Sequence, residues 1–382
     1  MRAYLDNGAT TMAAPEVVKV VNEYFTDKYG NASSLHRLGQ EAKEALENSR
    51  EIIAKAINAE PKEIIFTSGG SESDNLAIKG AAYANKDGGN HIITTKIEHH
   101  AVENSFESLE KEGFKVTWLN VDKEGFVELE QLKKEITAKT ILVSIIHANN
   151  EIGTVQDIEK IGRICKEKKV LFHTDAVQSF TKVPIDVKKM NIDLASFSAH
   201  KLHGPKGIGA LYVKKGTKIK KMIDGGHQEN ELRAGTENIP GIAGFAKAVE
   251  LVKEAELKKT AELRDYFIDK VMKEIPETIL NGSRTKRLCS NASITFKYIE
   301  GEALLLRLDD KGISVSTGSA CSSTELKPSH VLTAIGLPAA IAHGTTRFTL
   351  SRYTTKEELD YTFNVLKEEV AELRKMSPLW RK

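Results

Sequence analysis

Seven short apolar runs, at residues 64–67, 92–95, 116–119, 141–146, 170–173, 194–198 and 208–213, are rich as a set in β-branched side chains. They alternate with stretches in which apolar residues recur at helical spacing, as at 128–136 and 158–168. That rhythm predicts strands joined by helices, an α/β fold whose mostly parallel seven-stranded sheet lies between helical layers. Residues 241–275 contain no proline and set Phe245, Ala248, Val249, Val252, Ala255, Leu257 and Leu263 among charges, which predicts one or two long helices able to bridge two domains. After Pro276 the pattern becomes strand, helix, strand, a small-residue loop, helix, strand and a last helix over 356–375, a smaller α+β unit.

At 382 residues the chain is long enough for two or three domains. Charge narrows the function: 55 Lys and Arg face 53 Asp and Glu, and a net charge of +2 makes no field that gathers a polyanion, so nucleic acid is not an expected partner. Three scattered cysteines, Cys165, Cys289 and Cys321, suit neither a disulfide framework nor a paired zinc knuckle. Free thiols in a reducing, cytoplasmic compartment are expected. Asp6 interrupts the N-terminus before any signal-length apolar run, and no run is long enough to enter a membrane.

Four segments carry chemistry. Residues 66–73, Phe-Thr-Ser-Gly-Gly-Ser-Glu-Ser, sit between an apolar strand and a helical stretch. Glycines there expose backbone N–H groups and a helix N-terminus offers positive partial charge, which suits a phosphate; Ser71 acting as a plain N-cap is the alternative. Asp175 is delivered at the C-terminal edge of a strand, where doubly wound sheets bind ligands, and it suits either a protonated ring nitrogen or a helix cap. Lys201 follows a strand beside His200 and enters the turn Gly204-Pro205, a setting where desolvation favours the neutral amine that a Schiff base needs. Cys321 stands in Ser316-Thr317-Gly318-Ser319-Ala320-Cys321 without large apolar neighbours, as an exposed reactive thiol would, whereas Cys165 fits a helix core. A rival set of metal ligands, His99, His100, His173, Asp175, His200 and His203, lacks a recognised ligand spacing.

Read in order, these segments resemble the class V, fold-type I family of pyridoxal 5'-phosphate (PLP) enzymes, and within it the NifS/IscS type of cysteine desulfurase. The similarity runs from Leu5-Asp6-Asn7-Gly8-Ala9-Thr10-Thr11 to Ser377-Pro378-Leu379-Trp380, and includes His147-Ala148-Asn149-Asn150-Glu151 and Gly225-Gly226-His227-Gln228-Glu229. It implies a large PLP-binding domain over 15–255 and a small domain of 1–14 with 256–382 that carries the Cys321 loop. It also implies that Lys201 holds PLP as a Schiff base and moves a proton, that Asp175 pairs with the ring nitrogen, and that Gln178 meets the phenolic oxygen. His99 stacks on the ring and serves as a catalytic acid or base. Gly70, Ser71, Ser198 and His200 hold the phosphate, joined by Thr236 from a second subunit, while Asn150 and Arg347 grip the substrate carboxylate.

The activity so implied converts L-cysteine to L-alanine and parks the sulfur as a persulfide on Cys321, for transfer towards iron–sulfur cluster assembly on a scaffold protein. Selenocysteine lyase or aminotransferase chemistry on the same fold is the near alternative, and a metal-dependent hydrolase the distant one. Ser71 replaces the family's usual threonine and keeps the hydroxyl; Gly70, His100, Thr174 and Ala234 are also unusual for the family. The chain ends at Lys382, sooner than IscS-type members, so docking of a scaffold protein is less firmly implied than the chemistry.

Overall fold

The computed structural model describes residues 1–317 and 328–380. Cys321 and most of the predicted small-residue loop lie outside the described residues. All seven predicted runs form strands of one sheet: β1 (Ile64–Thr67), β2 (His91–Thr95), β3 (Lys115–Leu119), β4 (Thr140–Ser144), β5 (Leu171–Asp175), β6 (Leu194–Ser198) and β7 (Gly209–Val213). Their order is β1-β7-β6-β5-β4-β2-β3, parallel from β6 through to β3, with β7 antiparallel to both neighbours. Every residue of β1, β2, β4, β6 and β7 is buried, which is why these strands read as continuous apolar runs and not as alternating ones: helices cover both faces.

The long proline-free stretch is two helices, Ile239–Glu250 and Glu254–Glu274. The break is stabilised by Arg352, whose Nη1 donates to the Leu251 carbonyl at 2.9 Å, a group that the helix end leaves unpaired. It also separates two cores. Ile242, Phe245 and Ala248 pack with Phe180 and Phe197 against the large sheet, whereas Phe267, Ile268 and Val271 pack with Phe296, Phe348 and Phe363.

That second core covers an antiparallel sheet of β8 (Thr278–Leu280), β9 (Asn291–Phe296), β10 (Ser316–Thr317) and β11 (Thr345–Thr349), in the order β10-β11-β9-β8. The N-terminus joins it: Ala3–Tyr4 pairs in parallel with Ile313–Ser314, Leu5 is buried in the same core, and the Asn7 amide donates to the Thr349 carbonyl at 2.8 Å. Residues 8 and 9 are thereby carried from the small sheet to the edge of the large one.

A buried ion pair fixes the segment before Thr236. Arg50 grips both oxygens of Glu229, at 2.8 and 2.9 Å, and the Phe66 N–H donates to the same carboxylate at 2.7 Å. Glu229, Asn230 and Glu231 all take left-handed φ, between +46° and +63°, a strained run held by that anchor.

Candidate active site

Parallel strands deliver their C-terminal ends to one edge of the sheet, and a cavity of ≈ 340 Å³ opens there. Ten of the twelve candidate residues line it. β5 ends on Asp175, with Gln178 in the following turn; β6 ends on Ser198, with His200 and Lys201 in the next; Gly70 and Ser71 begin the helix Gly70–Asn85; His99 precedes the helix His100–Lys111; Asn150 follows β4 and Arg347 lies on β11. Ser71 does not cap its helix. Gly69 is the N-cap and makes no side-chain cap bond, so the backbone N–H groups of the first turn are left for another acceptor. A Cβ on Gly70 would come within 2.7 Å of Val177 Cγ2, so a side chain at that position would crowd the turn that follows Asp175.

Lys201 Nζ donates to the carbonyls of Gly8 and Ala9, each at 2.7 Å. These two residues carry no functional side chain, and backbone carbonyls leave no mark in a sequence. Asp175 Oδ1 accepts the Val177 N–H at 2.9 Å, in a turn and not at the start of a helix, so the helix-cap alternative does not hold. Burial pushes the Asp175 carboxyl up to about 6, against the opposing pull of that N–H and of the Lys201 charge. Burial, then the Lys201 charge, pushes His99 down to about 4. Its Nδ1 accepts the Ala101 N–H at 3.1 Å as the helix cap, so the neutral ring carries its proton on Nε2. His200, also lowered by burial to about 4, lies 3.1 Å through Nδ1 from Thr10 Oγ1. Gln178 Nε2 donates to the Gly8 carbonyl at 2.9 Å.

The other end of the cavity is built across both sheets. Arg347 donates through Nη1 to the Asn150 carbonyl at 2.9 Å and through Nη2 to Asp6 at 3.2 Å. Its Nε and the Asn150 Oδ1 are buried and make no hydrogen bond among the described residues. Unfilled polar groups of this kind mark a place for a polar ligand. Asp6 was missed by sequence reasoning because its partner is 341 positions away.

Thr236 does not line this cavity. It lies in a separate cleft with Ser68, Gly207 and Arg233, while Arg233 is held by Glu72 at 3.0 Å. The rival metal set does not assemble. His173 is buried between Ser144 and Ser196, His203 is bonded to the Met12 carbonyl, and His200 joins no group of potential ligands among the described residues. His99 and Asp175 meet Asp74 instead, and His100 meets Glu103 and His330. No helix among the described residues is long and apolar enough to cross a membrane.

The family described as Aminotransferase class-V matches residues 3–362. Cysteine desulfurase IscS of Dictyoglomus turgidum is 53% identical over 378 residues, 98% of this chain and 96% of that protein. Cysteine desulfurase IscS of Methanosarcina thermophila is 53% identical over 380 residues, covering 98% and 94%. Among solved structures, a NifS-like protein superimposes with a TM-score of 0.92 at 40% identity, covering 98% of this chain and all of the other. A second, SspA in complex with cysteine, gives 0.83 at 40% identity, covering 92% and 100%. A seven-stranded sheet, a cavity at its C-terminal edge and full-length identity above one half agree: this chain belongs to the class-V aminotransferase family, among its cysteine desulfurases.

Proposed function

We propose that this protein is a PLP-dependent cysteine desulfurase that converts L-cysteine and the Cys321 thiol into L-alanine and a Cys321 persulfide. The observation that carries the reading is the convergence, in one cavity, of a lysine, a buried carboxylate and a helix N-terminus at one end with unfilled arginine and asparagine groups at the other. The residues fit the cofactor. Lys201 would condense with its aldehyde carbon, Asp175 would pair with its ring nitrogen, Gln178 would meet its phenolic oxygen, and Gly70, Ser71, Ser198 and His200 would hold its phosphate, where uncapped N–H groups suit a dianion. When bound, the cofactor supplies a carbonyl carbon for condensation with amines and an electron-withdrawing ring.

The chain's own groups do the rest. Asp175, anionic beside a ring cation, would hold the proton on the ring nitrogen. The His99 ring covers the cavity face, and its Nε2–H is a donor turned away from the helix cap. Arg347, through Nε–H, and Asn150, through its side-chain amide N–H, take the substrate carboxylate, which orients the Cα–H bond towards Lys201. The Lys201 amine accepts that proton and later returns one to carbon, while the Gly8 and Ala9 carbonyls hold Nζ in place. The Cys321 thiolate attacks the substrate sulfur, the carbon–sulfur bond breaks, and alanine leaves after protonation.

The reading extends to organisation. The division into 15–255, and 1–14 with 256–382, is supported by the two separate cores and by the pairing of Ala3–Tyr4 with Ile313–Ser314. Thr236 lies outside its own chain's cavity, as a residue serving the phosphate of a second copy would. A cytoplasmic homodimer handing sulfur to an iron–sulfur scaffold protein completes the proposal. The test is alanine and persulfide formation from cysteine: Cys321→Ser retains the cofactor's visible absorption and loses the persulfide. A persulfide that survives in that variant would remove Cys321 from its role.

A further inference from the structure

Asp74, in the first turns of the helix Gly70–Asn85, was given no chemistry by its sequence, yet it lines the cavity and is 1% exposed. Its Oδ1 makes no hydrogen bond among the described residues. Ligand atoms of Asp74, Asp175 and His99 lie within 4.8 Å of one another. Two carboxylates sharing so small a desolvated volume do not both ionise. Which one keeps the proton follows from the neighbours. Asp175 has a backbone N–H and the Lys201 charge to support an anion. Asp74 has the Ser196 hydroxyl, faces the Asp175 and Glu98 carboxyls, and is 3.7 Å from His173. That histidine brings no charge, since burial pushes it down to about 3 and both ring nitrogens lie against serine hydroxyls. Burial and the Asp175 charge accordingly push Asp74 well above the usual carboxylate range. A metal ion is a poorer explanation of the cluster: His99 Nε2 carries the ring proton while Nδ1 caps the helix, so it offers a donor to the cavity and not a lone pair.

We infer that Asp74 is a positioning residue at the ring-nitrogen end of the cavity, a carboxyl held as the neutral acid beside Asp175, so that this end presents one negative charge and Asp175 alone answers the ring cation. The inference deepens the cofactor reading and rests on it only for the last step. Its test uses two readouts. Infrared spectra of the cofactor-free wild type at neutral pH are expected to contain a protonated-carboxyl C=O band that Asp74→Asn removes; an unchanged band region in the variant overturns the inference. Pyridoxal phosphate affinity, followed by the visible absorption of the bound cofactor, is expected to stay within about threefold of wild type in Asp74→Asn, since the amide imitates the neutral acid. It is expected to fall by about tenfold or more in Asp175→Asn, the change that removes the one charge. Equal losses in the two variants would contradict the inference. Undiminished affinity in Asp175→Asn, with the infrared difference intact, would instead sink the cofactor reading and leave the protonation state of Asp74 standing.

Discussion

The two ends of the cavity are built differently. At one end Asp175, Ser198 and Lys201 follow neighbouring parallel strands, β5 and β6, inside one continuous core. At the other, Arg347 belongs to β11 of the small sheet, Asn150 to a loop of the large sheet, and Asp6 to an N-terminal segment that reaches both. The first end is determined by one sheet. The second depends on how two cores meet, so substrate grip and cofactor grip are separable properties of this fold.

Four changes break or sharpen that contrast. Lys201→Ala, at the single-sheet end, is expected to reduce alanine formation by about 10⁴-fold, the upper range of what a positioned acid–base group contributes; unchanged turnover would end the contrast at its root. Glu229→Ala leaves buried Arg50 with only the more distant, exposed Glu47 and is expected to cost about 3–5 kcal/mol in denaturant unfolding. A loss under about 1 kcal/mol would show that the segment leading to Thr236 is not anchored there. Arg347→Ala, at the two-sheet end, is expected to lower kcat/KM for cysteine by about 10–100-fold, the worth of hydrogen bonds to a charged group, while cofactor affinity stays unchanged. Should cofactor affinity fall in step, the two ends are not separable. A further effect, of similar size, concerns pH in the cofactor-free protein. Asp175 has a raised carboxyl in the folded state, so its contribution to stability is present below the ordinary carboxylate range and is lost as pH rises through about 6. Asp175→Asn is therefore expected to stabilise the cofactor-free protein by roughly 2–3 kcal/mol at pH 7 and to leave it unchanged at pH 3.

The same contrast decides what could be read from the sequence. Strands largely covered by helices announce themselves as short apolar runs, so the strands of the large sheet, and with them Asp175 and Lys201 at or just past strand ends, were legible, while Ser198 was named only through the family resemblance. The helix Ile158–Lys168 follows its apolar spacing to the residue. The two-sheet end was legible only through family resemblance, because a two-residue strand such as Ala3–Tyr4 has no periodicity and its pairing with residue 313 is a long-range event. Gly8 and Ala9 act through backbone carbonyls, which every residue has. Asp74 looked like part of a helix start because its burial beside Asp175 is a property of packing, not of local pattern.

The most direct test of the whole account is reduction of the cofactor-loaded protein with borohydride followed by peptide mass mapping. The account predicts one pyridoxyl adduct, on Lys201. An adduct on any other lysine, with Lys201 unmodified, would contradict it.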